Sequence, residues 1–183
     1  KDWFIAFNRI ENLTFADGTG MTDVDMGNQS MTDGNDTLIW TSDALSIDGG
    51  AGDDEIRSGD SSDALEGGTG NDTLDGGGGD DTLEGGVGAD LLVGGDGIDI
   101  ASYESSASAV TVDLGANSVT GGDAVGDSFD GIEGISGSAF GDTLNGSDGS
   151  DIIIGSGGND LLGAGEGDDT YVFGLGDGSD TID

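Results

Sequence analysis

Residues 67–99 read GGTGNDTLD, GGGGDDTLE, GGVGADLLV and GGDGID. One template runs through them: Gly, Gly, any residue, Gly, any, Asp, any, apolar, any. It recurs at residues 49–57 as GGAGDDEIR, so Gly49, Gly67, Gly76, Gly85 and Gly94 open units separated by multiples of nine. A fixed period of this kind marks a stacked repeat architecture. Glycine at positions one, two and four tolerates positive φ and close backbone approach, so the first half of each unit curls into a tight loop. Aspartate at position six adds a carboxylate to that loop. The triplet that follows is a short strand whose apolar middle residue points to one face and its neighbours to the other. Two units make one turn with a loop at each edge, and each loop stacks on the loop two units later at about 4.8 Å. Oxygen-lined gaps between successive turns are the consequence.

The nonapeptide resembles the RTX (repeats-in-toxin) haemolysin-type calcium-binding repeat. The resemblance implies an all-β fold, a right-handed parallel β-roll (a β-solenoid of two nonapeptides per turn) with Ca²⁺ between stacked loops. Here the roll is interrupted by a short non-repeat β segment. The chemistry agrees, because calcium takes about six to eight oxygen ligands from carboxylates and carbonyls at about 2.3–2.6 Å. One ion per stacked loop pair gives about eight ions.

Composition narrows the function classes. The 183 residues carry 39 Asp+Glu against 3 Lys+Arg, a formal charge of −36, with 40 Gly and no Pro, Cys or His. Only 33% of residues are hydrophobic, so a large conventional core is excluded and the metal-free chain falls in the composition range of disordered proteins. About eight bound Ca²⁺ would cancel roughly half of the charge. Three cations cannot build a basic patch, which argues against nucleic acid as a partner. Zinc proteases of the HExxH type and Ser-His-Asp hydrolases need histidine, so no enzymatic role is expected. No apolar run approaches the length of a membrane-spanning helix, and no charged-then-apolar leader opens the chain. Because the sequence starts at Lys1 and ends inside a repeat at Asp183, a piece of a longer parent protein is expected.

Four segments follow from the frame. Residues 1–30 hold Trp3, Phe4, Ile5, Phe7, Ile10, Leu13 and Phe15 and read as a flanking or capping segment, either a strand pair or a short amphipathic stretch. A remnant of a preceding domain is the alternative. Residues 31–102 form a first repeat block, whose eighth positions are Leu38, Ile47, Ile56, Leu65, Leu74, Leu83, Leu92 and Ala101. The unit at 40–48 carries Leu45 where the aspartate belongs and is expected to lack a full site. Residues 103–127 break the frame, and alternating Val110, Val112 and Leu114 predict a strand within an insertion, with a possible second strand at Val119. Residues 128–183 form a second block with Ile135, Leu144, Ile153, Leu162 and Tyr171 inward and an aromatic tail expected to cap the core.

The sixth positions name the candidate metal carboxylates: Asp36, Asp54, Asp63, Asp72, Asp81, Asp90, Asp99, Asp142, Asp151, Asp160, Asp169 and Asp180. Asp180 lies two residues out of frame. An interior aspartate is expected to serve two ions, one with each carboxylate oxygen. The resemblance adds backbone carbonyls from the units with a complete loop. These are Gly49, Gly50, Ala51 and Gly52; Gly67, Gly68, Thr69 and Gly70; Gly76, Gly77, Gly78 and Gly79; Gly85, Gly86, Val87 and Gly88; and Gly94, Gly95, Asp96 and Gly97. Positions one and three are expected to face one neighbouring turn, and two and four the other. Off-register Asp60, Asp75, Glu84 and Asp96 are expected to face solvent. The resemblance further implies a module of a secreted, extracellular bacterial protein that folds on calcium after type I secretion and stabilises or presents a parent chain. A polysaccharide- or surface-binding module is the alternative. A regular Thr/Asn column that would suit ice is absent from positions three and five.

Overall fold

The computed structural model describes residues 12–14, 29–31, 33–39, 44 and 46–183. Most of the expected cap, Trp3 to Phe7 included, lies outside the described residues, as does Leu45. The flanking segment supplies β1 (Asn12–Thr14) and β2 (Gln29–Ser30), and the first block supplies β3 (Thr37–Ile39), β4 (Ser46–Asp48), β5 (Glu55–Arg57), β6 (Ala64–Thr69), β7 (Thr73–Gly78), β8 (Thr82–Val87), β9 (Leu91–Asp96) and β10 (Ile100–Ser102). The insertion supplies β11 (Thr111–Asp113) and β12 (Ser118–Thr120), followed by a single 3-10 turn at Gly122–Ala124. The remaining strands are β13 (Ser128–Asp130), β14 (Gly134–Ser136), β15 (Thr143–Asn145), β16 (Ile152–Ile154), β17 (Leu161–Gly163), β18 (Thr170–Val172) and β19 (Thr181–Ile182). The molecule is an all-β parallel solenoid.

Strands alternate between two faces. One face is a continuous eight-stranded sheet, β2-β4-β6-β8-β10-β14-β16-β18. Within the first block partners stand two nonapeptides apart, Ile47 on Leu65 and Leu38 on Ile56. The apolar residue of each triplet is buried by this stacking: Ile56, Leu74, Leu83, Leu92, Ile135, Leu144, Ile153 and Leu162 are all fully inaccessible. A pair of aliphatic ladders is thus the whole core of a rung, since the flanking strand residues face outward.

The insertion changes the pitch without breaking the stack. Leu92 pairs with Phe129 and Ala101 with Ile135, so each of these turns takes in far more chain than two nonapeptides. The second face is therefore divided into β1-β3-β5-β7-β9-β13 and β12-β11-β15-β17-β19. β11 and β12 form an antiparallel hairpin, which buries Val110 and Val112 beside Leu144. Asn117 at its tip takes positive φ (46°). Its side-chain amide donates to the Phe129 carbonyl at 3.1 Å and accepts the Phe129 N–H at 3.0 Å. One amide side chain thereby pairs with β13 as a strand residue would.

At the N-terminal end of this face β1 runs antiparallel against β3, covering an edge that would otherwise offer unpaired backbone groups. The C-terminal end differs from expectation. Tyr171 packs partly against the core, but Phe173 and Leu175 lie exposed and do not cap it. The reason is the slip in the last unit: β19 pairs with β17 two residues out of frame, Leu161 on Thr181, and the added residues carry Phe173 and Leu175 outward on the connecting loop.

Candidate metal centres

Each loop delivers its acid to the same place because the strand that follows is pinned by the core. On one edge the Asp36 N–H donates to Asp54 Oδ1 at 2.7 Å, Asp54 to Asp72 at 2.7 Å and Asp72 to Asp90 at 2.8 Å. On the other edge Asp63 donates to Asp81 and Asp81 to Asp99, both at 2.8 Å. Beyond the insertion Asp142 donates to Asp160 at 2.9 Å, Asp151 to Asp169 at 3.0 Å, and Asp160 to Asp180 at 3.1 Å. The ladder absorbs the two-residue slip before Asp180. All twelve sixth-position aspartates named from the frame stand in these ladders, and Asp36 to Asp160 are buried. Oδ1 of each acceptor is held by a backbone N–H of the preceding turn, so Oδ2 is the oxygen left over.

Two acids in the ladders escaped the sequence reading. Asp127 takes the position after Asp90, accepting its N–H at 2.9 Å, and Glu133 takes the position after Asp99, accepting its N–H at 3.1 Å. The available signal was the Asp-x-apolar triplet, which Asp127-Ser128-Phe129 and Glu133-Gly134-Ile135 both repeat once Glu is admitted. Tyr103, buried beneath the insertion, donates its hydroxyl to Asp127 Oδ2 at 2.9 Å. Burial and the Asp127 carboxylate push the phenol up, so it stays a donor at all ordinary pH.

At five aspartates of the first block the leftover oxygen has no protein partner. Oδ2 of Asp54, Asp72, Asp81, Asp90 and Asp99 is buried without a hydrogen bond, and so is Oδ2 of Asp160 in the second. Such a group costs about 1–3 kcal/mol, more when charged, unless something else meets it. Backbone carbonyls converge on the same point. A Cβ at Gly67 would stand 2.5 Å from Asp72 Oδ2 and 2.6 Å from the carbonyl oxygen of Gly85 in the next turn. Glycine at position one keeps that cradle open.

The other loop carbonyls alternate in direction. Thr69 N–H donates to the Gly50 carbonyl of the turn below at 2.9 Å, and Gly52 N–H to the Thr69 carbonyl of the turn above at 2.8 Å. Position two therefore points to the following turn and position three to the preceding one. Glycine at position two makes this possible by taking positive φ, 103° at Gly68 and 89° at Gly86.

Electrostatics mark the same oxygens. Asp54, Asp72, Asp81, Asp90 and Asp160 are pushed up to about 6, chiefly by burial, with neighbouring carboxylates adding to the shift. Burial likewise raises Asp99, Asp127 and Glu133. Among the described residues the ion pairs are those of Arg57 with Glu55 at 3.1 Å and Asp75 at 3.9 Å, all partly exposed and remote in role from the gaps. Each gap presents a carboxylate Oδ2 beside a position-one carbonyl, as Asp72 Oδ2 stands beside the Gly85 oxygen. An all-oxygen donor set with no nitrogen or sulfur suits a hard cation such as calcium. Of the off-register acids, Asp60 and Asp96 face solvent, whereas Asp75 and Glu84 are half-buried; Glu84 accepts the Ser105 N–H at 3.0 Å.

Two loops of the second block are built differently. Ser138, at position two, donates its N–H to Asp142 Oδ2 at 2.6 Å and its hydroxyl to Oδ1 at 2.9 Å. Ser147 donates its N–H to Asp151 Oδ2 at 2.7 Å, with its hydroxyl 3.0 Å from the same oxygen. Each serine Oγ also accepts an N–H from within the loop, from Phe140 at 3.1 Å and Gly149 at 3.0 Å.

Position five forms a further ladder along the loop surface. Asn35 Oδ1 accepts from Asp53 N–H at 3.1 Å, Asp53 from Asn71 at 2.9 Å, and Asn71 from Ala89 at 3.1 Å. These bonds run opposite in sense to those of position six.

A parallel solenoid with buried carboxylates repeating along both edges defines a cation-binding β-roll. The chain belongs to the family of the RTX calcium-binding nonapeptide repeat, whose model matches residues 46–74, 66–101 and 136–171, together half of the chain. Repeats of this family bind calcium. A comparison with curated proteins gives no match.

Proposed function

We propose that this chain is the calcium-driven folding module of a larger secreted bacterial protein, which it stabilises or presents once outside the cell. The observation that supports it is the row of buried carboxylate oxygens in the first block, repeated every turn and lacking any protein donor. Asp54, Asp72, Asp81, Asp90, Asp99 and Asp160 would hold Ca²⁺ through Oδ2. Asp36, Asp63, Asp169 and Asp180 would act at the flanks, and the carbonyls of loops 49–52, 67–70, 76–79, 85–88 and 94–97 would complete the shells. Bound calcium supplies the positive charge that lets stacked carboxylates stay ionised in a dry gap. The chain's part is positional: the aliphatic ladders fix the pitch, the Asp N–H groups orient each carboxylate, and the position-two glycines turn carbonyls into the gap.

Binding free energy then becomes folding free energy. Extracellular modules bind calcium at about 10⁻⁴–10⁻³ M, so such a chain stays open at cytosolic calcium and closes outside. A polysaccharide-binding role gains nothing from position five, whose Asn35, Asp53 and Asn71 oxygens already serve the ladder. The test is far-UV circular dichroism of metal-stripped protein during calcium titration, with magnesium as control. A cooperative gain of β signal near millimolar Ca²⁺ and none with Mg²⁺ is expected; a first block fully β in chelator would overturn the proposal.

A further inference from the structure

Between the two sets of open gaps lies a stretch in which the acids already have partners. Asp127 Oδ1 is held by the Asp90 N–H and Oδ2 by the Tyr103 hydroxyl. Asp142 is held by Val110 N–H, Ser138 N–H and the Ser138 hydroxyl. Asp151 is held by Ser147 through N–H and hydroxyl together. None of these three acids has an unpartnered oxygen, in contrast to Asp54, Asp72, Asp81, Asp90 and Asp99 on one side and Asp160 on the other.

Backbone conformation gives the reason. In the open loops that carry Asp54, Asp72, Asp81, Asp90 and Asp99 position two takes positive φ, 93° at Gly50 and 85° at Gly77 among them, and its N–H makes no bond to the carboxylate Oδ2. Among the described non-glycine residues only Asn117 and Ser156 have positive φ, so Ser138 and Ser147 keep an ordinary one and their N–H groups point at Asp142 and Asp151. Ser156 is the internal control. It too is a serine at position two, but with φ at 62° its loop is open, and Asp160 Oδ2 is unpartnered. The difference therefore lies in the loop conformation and not in the residue type alone.

We propose that the middle of the roll, from Tyr103 to Ile154, is a calcium-independent segment in which tyrosine and serine donors stand where an ion would otherwise be needed, and that it stays folded when the flanking rungs are stripped of metal. Charge-assisted hydrogen bonds satisfy these carboxylates without a cation. Loading an ion at Asp142 or Asp151 would require breaking two donors and driving a serine into positive φ. The segment thus offers the first block a preformed sheet edge at β13 and β14 on which ion-loaded rungs can build. This inference rests on the calcium-driven reading of the first block, and the experiment separates the two.

Two measurements on the full chain test it. Calcium-binding stoichiometry by titration calorimetry is compared for the wild-type chain, the Asp142→Asn/Asp151→Asn pair and the Asp72→Asn/Asp81→Asn pair. The first pair should bind the wild-type number of ions with a midpoint within about twofold, and the second should lose ions. Loss of ions in both pairs would overturn the inference while leaving the calcium-driven reading intact; no calcium binding by the wild-type chain would remove that reading itself. Because a variant can fail to fold, hydrogen exchange of the wild-type chain in chelator supplies the second measurement. Amides of residues 110–112, 134–136, 143–145 and 152–154 should stay protected while those of 73–96 exchange rapidly. Equal exchange in the two sets would sink the proposal.

Discussion

The rungs from Gly49 to Asp99 and the stretch from Tyr103 to Ile154 share one core and differ in how they treat their acids. Leu74 and Leu144 are equally buried in the aliphatic ladders, and each lies two residues after a buried aspartate. Yet Asp72 has an unpartnered Oδ2, and Asp142 is enclosed by Ser138. The strand triplets set the shared core, and the loop conformations set whether a carboxylate oxygen is left without a protein donor. A repeat family is defined by both, but the two are separable within one chain.

The sharpest way to break the comparison is to remove paired acids from the open rungs. Asp72→Asn with Asp81→Asn should raise the calcium midpoint of folding by about tenfold or more, since losing even a supporting partner of a metal ligand costs about that. Circular dichroism during calcium titration reads the shift.

Protons should imitate calcium in those same rungs. Asp54, Asp72, Asp81, Asp90 and Asp160 titrate at about 6 in the fold against 3.8 ordinarily, so the metal-free folded chain binds more protons between those values. The stability this contributes is full below about 4 and is lost as pH rises through about 6. Thermal melts in chelator at pH 4.5 and 7.5 should show a more stable first block at the lower pH, and an unchanged or reversed difference would contradict the assignment.

Core truncation should not distinguish the regions. Leu74→Ala and Leu144→Ala should each cost about 2–5 kcal/mol in saturating calcium, because both side chains fill closed ladders. Denaturant unfolding measures this.

Smaller effects sharpen the boundary. Tyr103→Phe strips Asp127 of its hydroxyl donor and should destabilise the middle segment by about 1–3 kcal/mol, visible as faster exchange of residues 110–112 and 134–136 in chelator. Asn71→Ala, which removes one acceptor from the exposed position-five ladder, should cost under about 1 kcal/mol in thermal melts and leave calcium stoichiometry unchanged.

The nine-residue frame alone discloses the solenoid, the two faces and every aspartate from Asp36 to Asp180 that the frame places in the ladders, because period and burial are one physical fact here. It does not disclose Asp127 or Glu133, since the hairpin β11–β12 lengthens the two turns that carry them by unequal amounts and no longer places acids at a fixed spacing. Nor does it distinguish GSDGSD at 146–151 from GSGGND at 155–160, both of which read as loops of the same kind. What separates them is the sign of φ at Ser147 and Ser156, a property of stacked backbone that composition does not encode. The expected aromatic cap at Phe173 fails for a related reason, as the slip in the last unit turns it outward.

The most direct measurement is a calcium-soaked crystal structure with anomalous scattering from the bound ions. The account predicts peaks at about 2.3–2.6 Å from Oδ2 of Asp54, Asp72, Asp81, Asp90 and Asp99, and none at that distance from Asp142 or Asp151. Peaks seated on the serine-closed loops, or a first block folded with its carboxylates bare, would contradict it.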